Sequence, residues 1–440
     1  MQTSTIKFSQ IEDRIDAEYY KPEYLKLDIS LENAQLLGDL LAKIDRDPNF
    51  YNIGYAKTGI PLIRGVEFQP PFLDLCDVEH ISQETHNQFL KTEIHPRDLI
   101  MTVRGTIGKT AIVPDELKIA NISPNLIFLR PKNLNQSIFL AVVLNSNIGQ
   151  NQIERIISGS VQGTITVPDI EAIKIPIPPQ SFQQKIEEIV KEAQEKRKLA
   201  DEKYKEAEEI LNKELGLENL DLSTQKTFEA KFSEVRDRFD PEYYQPVYEN
   251  IYKFLKQKSK PLTEVCKIIR TKISPQNTPE KIFRYIEIGG VNNSTGEIEE
   301  VLNLRGWEVP SGVKYVIKNN DVLLSAVRTY LKGIALVSNN YEGDIATTGF
   351  HVLREPIIKP ETLFLFLRSH FGLLQFKKFF LGSTYPVIKN YDLKNILVPI
   401  FPQPLQQKIS SLIQKSFKLH KEAKELLGEA KRKVEEMIER

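Results

Sequence analysis

The chain has little of several features that often identify a protein's class. Only Cys76 and Cys266 occur among its 440 residues, which argues against a disulfide framework and fits a reducing cytosol better. Fifty-nine basic residues balance 59 acidic ones, so nucleic-acid binding would have to depend on local basic clusters. The first residues lack the pattern of a signal peptide, and no apolar run approaches the ~18 residues of a membrane span. We therefore expect a cytoplasmic protein.

The motifs of common catalytic and cofactor sites are missing or incomplete. No two of the six histidines have the i, i+4 spacing of a helical metal pair, and the Gly-Gly pair lacks the rest of a phosphate-binding loop. Residues 69–72, Gln-Pro-Pro-Phe, are similar to the Asp/Asn-Pro-Pro-aromatic motif of amino-methyltransferases, but the first position is Gln and no glycine-rich cofactor loop accompanies it. Asp169, Glu171 and Lys174 lack the spacing of a nuclease metal site, and we interpret Asp169 and its counterpart Asp392 as parts of domain-end turns. The sequence therefore predicts no catalytic residue, metal site or bound cofactor.

What the chain does contain is an internal duplication. Residues 14–24 return as residues 238–248 with seven of eleven positions identical, and residues 176–186 return as residues 399–409 with eight of eleven identical. Both matches have nearly the same offset, and the period is far longer than a solenoid repeat of roughly 20 to 50 residues. Each copy should therefore be a whole domain, and two such copies suggest a pseudo-twofold molecule that binds something two-sided.

Each copy ends in a long predicted helix. Residues 180–215 contain no Pro or Gly, Pro178 and Pro179 precede them, and Gly216 follows as a stop signal. Seam residues recur at alternating steps of four and three, which is the spacing of a coiled coil. They are Ile186, Val190, Ala193, Arg197, Ala200, Tyr204, Ala207 and Leu211 in the first helix and Ile409, Ile413, Ser416, His420, Ala423, Leu427, Ala430 and Val434 in the second.

Two matching seams in one chain favour pairing, and we expect an antiparallel pair. At 1.5 Å rise per residue, about 35 residues would make a ruler of roughly 50 Å between the two globular copies. Alternatively, each helix packs on its own globular copy or mediates homodimerisation. The residues that we expect at the helix seam and in partner binding are Gln184, Lys185, Ile186, Val190, Gln407, Lys408, Ile409 and Ile413.

The globular copies have the pattern of short strands and polar turns. Two strands flank a turn near Arg104 in the first copy and near Arg328 in the second, and a polar loop lies near the end of each domain. Arginine can bind phosphate or guanine edges, and Gln or Thr can read bases, although each such loop taken alone is usually structural. The predicted DNA-binding residues are Arg64, Arg104, Lys109, Gln162, Thr164, Arg270, Lys272, Arg328, Tyr330, Lys332, Thr384 and Tyr385.

In its order of domain, helix, domain and helix, the chain resembles the specificity subunits of type I restriction-modification systems. The repeated Pro-Gln-x-x-Gln-Gln-Lys-Ile segment at the start of each helix is the sharpest local match. The resemblance implies double-stranded DNA as ligand, two methyltransferase subunits docked on the helix pair, and restriction subunits that can join the complex. It also implies that S-adenosylmethionine, ATP and magnesium belong to the partner subunits only.

The duplication and the resemblance together predict an α+β fold. Two homologous mixed α/β target-recognition domains, residues 1–180 and 223–403, would be joined by two long helices that form an antiparallel coiled coil. The first helix and its linker would occupy residues 181–222, and the second helix residues 404–440. A non-catalytic reader of a bipartite, asymmetric DNA site is the function that this organisation favours. The alternative is a duplicated coiled-coil scaffold that binds protein partners.

Overall fold

The computed structural model describes residues 11, 14–50, 53–75, 78–158, 164–216, 222–230, 235, 238–380 and 384–438. The chain divides into two compact units. Unit 1 comprises Met1–Arg197 and Lys421–Arg440, and unit 2 comprises Lys198–His420. Each unit therefore combines one globular copy with part of each long helix. The predicted domain boundaries, which separate helices from globular copies, stay a prediction.

The first copy alternates short strands with short helices. Its helices are α1 (Pro22–Ser30), α2 (Leu37–Leu40), α3 (Gln83–Gln88), α4 (Ser137–Asn145), α5 (Asn147–Ile157) and α6 (Val167–Glu171), followed by the long helix α7 (Gln180–Leu215). Its strands are β1 (Gln35–Leu36), β2 (Leu41–Asp45), β3 (Tyr55–Ala56), β4 (Ile60–Ile63), β5 (Phe68–Gln69), β6 (Phe72–Leu73), β7 (Glu79–Ile81), β8 (Glu93–Ile94), β9 (Leu99–Thr102), β10 (Thr110–Ile112), β11 (Ala120–Ile122), β12 (Leu126–Pro131) and β13 (Lys174–Ile175).

The second copy has the same kinds of elements in a similar order. Its helices are α8 (Pro246–Leu255), α9 (Leu262–Val265), α10 (Pro360–Arg368) and α11 (His370–Lys378), followed by the long helix α12 (Gln403–Ile438). Its strands are β14 (Ser259–Pro261), β15 (Lys267–Ile268), β16 (Ile282–Ile286), β17 (Leu302–Arg305), β18 (Tyr315–Val316), β19 (Val322–Ser325), β20 (Ile334–Leu336), β21 (Ile345–Ala346), β22 (Phe350–Arg354) and β23 (Leu397–Pro399).

The two copies share the order of one sheet and several strand pairings, although the second sheet has five strands in the first copy and four in the second. An antiparallel sheet has the order β10-β9-β12-β2 in the first copy and β20-β19-β22-β15 in the second. A second sheet contains a parallel pair, β4 with β11 and β16 with β21, and a short antiparallel ladder joins β1 to β13 and β14 to β23. These repeated arrangements confirm both the α+β class and the duplication.

Each core is built around a helix with no solvent face. Helix α4 is buried from Phe139 to Asn145, and α10 is buried from Glu361 to Arg368. A helix that is buried on all sides belongs to a protein core rather than to its surface. The apolar side chains of α4 pack with β9 and β12 in unit 1, and those of α10 pack with β19 and β22 in unit 2.

A buried ion pair recurs at the same place in both copies. Arg130 on β12 pairs with Asp98 at 2.7 Å, and Arg354 on β22 pairs with Asp321 at 2.7 Å. Both carboxylates are almost inaccessible to solvent, and removal of either arginine would leave one of them buried without its partner. The hydrogen bonds that Arg130 donates to Asp98 raise the pKa of Arg130, and those that Arg354 donates to Asp321 raise the pKa of Arg354. The shared scaffold thus includes polar as well as apolar contacts.

The first long helix begins and ends where its sequence signals predict. Helix α7 spans Gln180–Leu215, and Gly216 follows it with a φ of +66°, a left-handed conformation that suits glycine at a helix end. Of the predicted seam residues, Arg197, Tyr204, His420 and Leu427 are only half-buried, and the remaining ones are buried. The coiled-coil spacing therefore identifies the buried face of each helix.

Within each unit, the two helices run antiparallel. In unit 2, His420 contacts Asp201 at 3.2 Å, and Glu206 lies near Lys408 and Lys415, so residue numbers fall along one helix as they rise along the other. In unit 1, the core that contains Ile186 and Val190 also contains Ala430 and Val434, and in unit 2 Leu211 shares a core with Ile409 and Ile413. These cores include the globular copies. The seams are therefore buried by the other helix and by a globular copy together.

Candidate nucleic-acid interface

The turn between β9 and β10 presents two of the predicted DNA-binding residues of unit 1. Arg104 and Lys109 are exposed at its two ends. The backbone between them is fixed from inside: the Lys109 N–H donates to Thr102 Oγ1 at 3.0 Å, and Gln150 Nε2 of α5 donates to the Gly108 carbonyl at 3.1 Å. Gly108 has a φ of +86°, which glycine adopts without strain. The turn is thus a rigid support for two cationic side chains.

The equivalent turn of unit 2 has basic residues in left-handed backbone. Arg328 has a φ of +49° and Lys332 a φ of +61°, and a 3-10 turn, Thr329–Leu331, lies between them. Lys332 occupies the place of Gly108 in the repeat. Residues other than Gly, Asn and Asp rarely adopt left-handed backbone. Where such a residue does adopt it, the position is often functional.

Unit 2 brings three predicted DNA-binding residues into contact. The Arg328 guanidinium donates through Nη2 to the Thr384 carbonyl at 3.1 Å and lies over the Tyr385 ring, 4.4 Å from its centroid. The Arg328 N–H also donates to the Pro386 carbonyl at 2.8 Å. Tyr385 is 63% exposed. The result is a stacked cation and aromatic ring at the surface, a pair that suits contact with phosphates and base edges or faces.

Tyr330 and Lys332 lie on the same turn and have different supports. Tyr330 is exposed and packs edge to face on Phe380, with 5.8 Å between ring centroids. The Lys332 carbonyl accepts a 2.7 Å hydrogen bond from Arg368, a buried guanidinium that also donates to the Tyr204 hydroxyl. Arg368 is absent from the predicted site residues. It lies in an apolar helical segment, and the sequence does not show which backbone carbonyls surround its guanidinium. It fixes the turn that carries Lys332.

The two turns have different electrostatic surroundings. In unit 1, Lys109 lies near Lys431 of α12; burial, and then the charge of Lys109, lower the pKa of Lys431. In unit 2, Glu208 of α7 has the corresponding place in the repeat, and burial raises its pKa while the charges of Lys332 and Arg368 lower it. The carboxyl group of Glu208 therefore stands near Lys332, whereas Lys109 has a second cation nearby. Like charges held together favour an anionic ligand.

The other predicted DNA-binding residues lie elsewhere in the fold. Arg64 follows β4 and is neutralised by Glu67 at 2.8 Å, with Glu79 at 3.7 Å, so its charge is already balanced within the protein. Arg270 and Lys272 are exposed beyond β15, and Thr164 is exposed before α6. Gln162 lies outside the described residues.

Each helix entrance contains side chains that bind the protein's own backbone and side chains that are exposed to solvent. Gln406 is buried, donates to the Phe401 carbonyl at 2.7 Å and accepts from the Lys359 N–H at 2.8 Å. Gln183 likewise donates to the Pro178 carbonyl at 2.9 Å. The predicted partner-binding residues behave differently. Ile186, Val190, Ile409 and Ile413 are buried, whereas Gln184, Lys185, Gln407 and Lys408 are exposed. Identical neighbours in the sequence thus have opposite roles, which the sequence alone does not reveal.

The residues that resemble catalytic motifs have structural contacts. Arg197 of α7 donates to the Gln69 carbonyl at 3.3 Å, and Phe72 is buried under the same guanidinium. Asp169 lies in the first turn of α6, not in a loop, and accepts from the Thr166 N–H at 2.8 Å, while Asp392 begins a 3-10 turn and accepts from the Lys389 N–H at 3.2 Å. Within the described residues, no group of three or more His, Cys, Asp or Glu side chains could hold a metal ion. None of the helices that the structure describes is both long and apolar enough to cross a membrane.

Duplicated α+β domains with basic surface turns and paired long helices define a class of DNA-specificity proteins, and a family comparison agrees. The model of the type I restriction modification DNA specificity domain matches residues 42–209 and again residues 256–428. These two matches cover most of the chain, which therefore belongs to this family.

Particular relatives are more distant. The type I restriction enzyme EcoBI specificity subunit of Escherichia coli is 26% identical over 128 residues, which are 28% of this chain and 26% of that subunit. The chain thus matches about a quarter of the length of this curated relative. Among solved structures, the HsdS subunit of Thermoanaerobacter tengcongensis is 17% identical, with a TM-score of 0.29 over 92% of this chain and 94% of that chain. The S subunit of a type I restriction-modification system from M. genitalium is 14% identical, with a TM-score of 0.40 over 91% of this chain and 94% of that chain.

Proposed function

We propose that this chain is the non-catalytic specificity subunit of a type I restriction-modification complex and that it reads a bipartite, asymmetric DNA site. One observation carries the proposal. The two copies share the order of the four-stranded antiparallel sheet, the buried ion pairs and the helix entrances, while the turns that present Arg104 and Lys109 or Arg328 and Lys332 differ. A common scaffold with divergent basic turns suits a ligand whose two halves have one backbone but different bases.

Each unit would read one half-site. In unit 1, Arg104 and Lys109 supply exposed cations on a rigid turn, and in unit 2 the Arg328 guanidinium and the Tyr385 ring supply a planar polar group and a stacking face. Phosphate contacts would fix the register of the protein on DNA, and contacts to base edges would give specificity. The surface charge is local, in agreement with a chain of zero net charge.

Partner docking would use the surface that the two copies share. Gln184 with Lys185 and Gln407 with Lys408 are identical in sequence and exposed at both helix entrances. A feature that occurs twice suits a partner that is present twice, and we assign these entrances to two modification methyltransferase subunits. Those partners would bind S-adenosylmethionine and methylate adenine. Restriction subunits, with ATP and magnesium, would join through the complex, and the whole would work in the cytoplasm.

The decisive experiment is a map of modified bases across the host genome, by single-molecule sequencing, with and without this chain. Loss of methylation at one split motif is the expected result, and the motif would give both half-sites. Duplex binding by the purified complex should also weaken steeply as salt rises, because contacts to phosphate release counterions. An unchanged map together with a flat salt response would favour the protein-binding scaffold instead.

A further inference from the structure

The repeated segment near the start of each copy has no part in the DNA contacts proposed above, yet both copies keep it. It forms a short 3-10 turn in each unit, Ala17–Tyr20 in the first and Pro241–Tyr244 in the second. An arginine precedes each turn, Arg14 and Arg238, and both are half-buried. Their partners are backbone carbonyls far away in the sequence.

In unit 1, Arg14 binds the end of helix α5. Its Nη1 donates to the Ile156 carbonyl at 2.9 Å and to the Arg155 carbonyl at 3.3 Å, and its Nη2 donates to the Ser158 carbonyl at 2.6 Å. The last carbonyls of an α-helix have no partner within the helix and carry the negative end of its dipole. A guanidinium is therefore well suited to hold them, since its fixed fork of donors reaches several oxygens at once.

Unit 2 repeats the arrangement. Arg238 Nη2 donates to the carbonyl of Phe380, which follows helix α11, at 2.9 Å. Lys378 of the same helix end lies over the Tyr243 ring, 4.9 Å from its centroid, much as Arg155 lies over the Tyr19 ring at 4.1 Å in unit 1. The same motif thus holds the chain at the end of the equivalent helix in both copies, through three carbonyls in unit 1 and one carbonyl, just beyond α11, in unit 2.

Each guanidinium is itself held in place. Arg14 Nε donates to Asp16 at 2.8 Å, and the Tyr20 hydroxyl donates to the Arg14 carbonyl at 2.7 Å. Arg238 has the same two contacts, with Asp240 at 2.8 Å and Tyr244 at 2.7 Å. Hydrogen bonding to the neighbouring guanidinium lowers the pKa of Asp16 and of Asp240. This explains why Arg, Asp and the second Tyr are all identical between the copies.

The held helix ends support the proposed reading surfaces. In unit 2, the Phe380 carbonyl accepts from Arg238 while the Phe380 ring packs against Tyr330. In unit 1, α5 ends at the Arg14 contacts and also carries Gln150, which binds the turn of Lys109 through Gly108. Each arginine therefore acts on the basic turn of its own unit through one helix end.

We propose that Arg14 and Arg238 are positioning residues that fix the reading surface of their own unit, so that each controls sequence discrimination at one half-site. The proposal rests on the proposed function and extends it to residues that do not contact DNA. Arginine is required over lysine, because one ammonium group cannot replace the spread donors of a guanidinium. Arg14 binds Asp16 and three carbonyls, and Arg238 binds both oxygens of Asp240 and the Phe380 carbonyl.

The test uses Arg14→Lys and Arg238→Lys in the full chain assembled with its methyltransferase. Two measurements are made: hydrogen exchange of the backbone at residues 154–158 and 377–380, and binding to duplexes with one half-site substituted. Each variant should raise exchange at its own helix end only. Each should also lose roughly tenfold of its discrimination at one half-site, a different half-site for each variant. Arg97→Lys and Arg305→Lys, which alter arginines paired with Asp115 and Glu280, are the matched controls.

The outcomes distinguish failure of the positioning role from failure of the proposed function. Unchanged exchange in both variants, or full discrimination by the lysine variants, would overturn the positioning role, since charge alone would then suffice. Equal loss at both half-sites would also overturn it, because global destabilisation has no preference for one half. If exchange rises locally but the wild-type complex shows no split site, the proposed function fails and the reading role fails with it.

Discussion

At the scale of single residues, one turn of unit 2 has two basic residues in left-handed backbone. Arg328 and Lys332 adopt positive φ on a turn whose counterpart in the first copy has Gly105 and Gly108 in left-handed backbone. The cost for a residue with a Cβ is about 1 kcal/mol. Glycine would fit this turn without that cost, so the presence of two cations indicates that their charges have a function. The contact with the Tyr385 ring orients the Arg328 guanidinium.

Replacement of Arg328 by glycine should separate folding from binding. Relief of the backbone cost offsets the loss of the exposed contacts with Thr384 and Tyr385, so we expect the free energy of unfolding to stay within about 1 kcal/mol of wild type. Affinity for the site read by unit 2 should fall by about 1 to 3 kcal/mol, because the guanidinium is lost. Urea unfolding and duplex binding measure the two effects.

Asn320→Gly is the matched control for this change. Asn320 also has a positive φ, at +68°, and is exposed on the turn before β19. Its replacement gives the same backbone relief without removal of a cation, so DNA affinity should not change. If Arg328→Gly keeps full affinity, or if Asn320→Gly weakens binding equally, Arg328 is not a DNA contact.

Burial of two ionisable groups predicts alkaline sensitivity of unit 2. Burial raises the pKa of Cys266 to about 12 and the pKa of Tyr248 to about 12, and both lie in the same core. In the unfolded chain they ionise near their ordinary values of about 8.5 and 10. The neutral forms are therefore favoured in the folded state, and their contribution to stability is complete below about pH 8.5 and is lost as pH rises toward 12.

Urea unfolding at pH 8 and pH 10.5 measures this effect. The Cys266→Ala, Tyr248→Phe double variant should lose less stability between the two pH values than wild type, while Tyr391→Phe, at an exposed ring, should not differ from wild type. An equal loss in all three proteins would show that other groups control the alkaline transition.

Single residues are also where prediction from the sequence is weakest. The seam spacing correctly marks Ile186 and Ile409 as buried, because helical periodicity depends only on local order. The contact of Arg328 with Tyr385 joins residues 57 positions apart, and neutralisation of Arg64 by Glu67 depends on a local 3-10 turn. Such pairings depend on tertiary structure and carry no periodic signal.

At the scale of elements, the helix entrance combines an anchor with an exposed surface. Gln406 accepts from the Lys359 N–H before α10 and donates to the Phe401 carbonyl before α12, so one buried amide ties the long helix to the core. Gln407 and Lys408 point away from that core and are exposed. Gln406 and Gln407 each match a glutamine of the first copy, but for different physical reasons: Gln406 anchors the helix, and Gln407 is exposed.

Alanine at the two neighbouring glutamines should produce opposite effects. Gln406→Ala removes the side-chain partner of the Phe401 carbonyl, a buried hydrogen bond, and that of the Lys359 N–H, so the free energy of unfolding should fall by about 1 to 3 kcal/mol. Gln407→Ala removes an exposed amide, so stability should change by no more than about 0.5 kcal/mol while affinity for the methyltransferase falls. Chemical unfolding and calorimetric titration with the partner subunit measure the two effects.

A stable Gln406→Ala variant would contradict the anchor, and undiminished methyltransferase binding by Gln407→Ala would remove this residue from the docking surface. The first copy offers an independent repeat of the comparison. Gln183 donates to the Pro178 carbonyl and Gln184 is exposed, so Gln183→Ala and Gln184→Ala should differ in the same direction.

Elements differ in how far the sequence predicts them. Helix α7 has local signals at both ends, two prolines before it and a glycine after it, and its bounds match the prediction. The strands around β9 and β19 were expected from their apolar runs. Their sheet order was not, because the pairing of β9 with β12 and of β4 with β11 joins segments separated by other elements. Duplication, rather than propensity, is what made the overall organisation predictable.

At the scale of the whole molecule, the features that the two copies share and those in which they differ indicate different functions. The order of the four-stranded antiparallel sheet, the buried ion pairs and the helix entrances recur, and we assign them to folding and to the repeated partner. The basic turns differ, and we assign them to the two halves of the DNA site. Each unit has its own core, which combines a globular copy with parts of both long helices, so exchange of one globular copy should leave the other core intact.

Exchange of residues 1–180 for the corresponding domain of another family member should therefore change one half-site only. The exchange keeps Ile186, Val190, Ala430 and Val434, against which the new domain must pack, so the recipient surface is unchanged. The methylation map of a strain that carries the chimaera should show one new half-site joined to one old half-site. Exchange of residues 223–403 is the reciprocal control and should alter the other half. A chimaera that folds but changes both half-sites would mean that the two units read DNA jointly, and the modular assignment of the turns would then have to be abandoned.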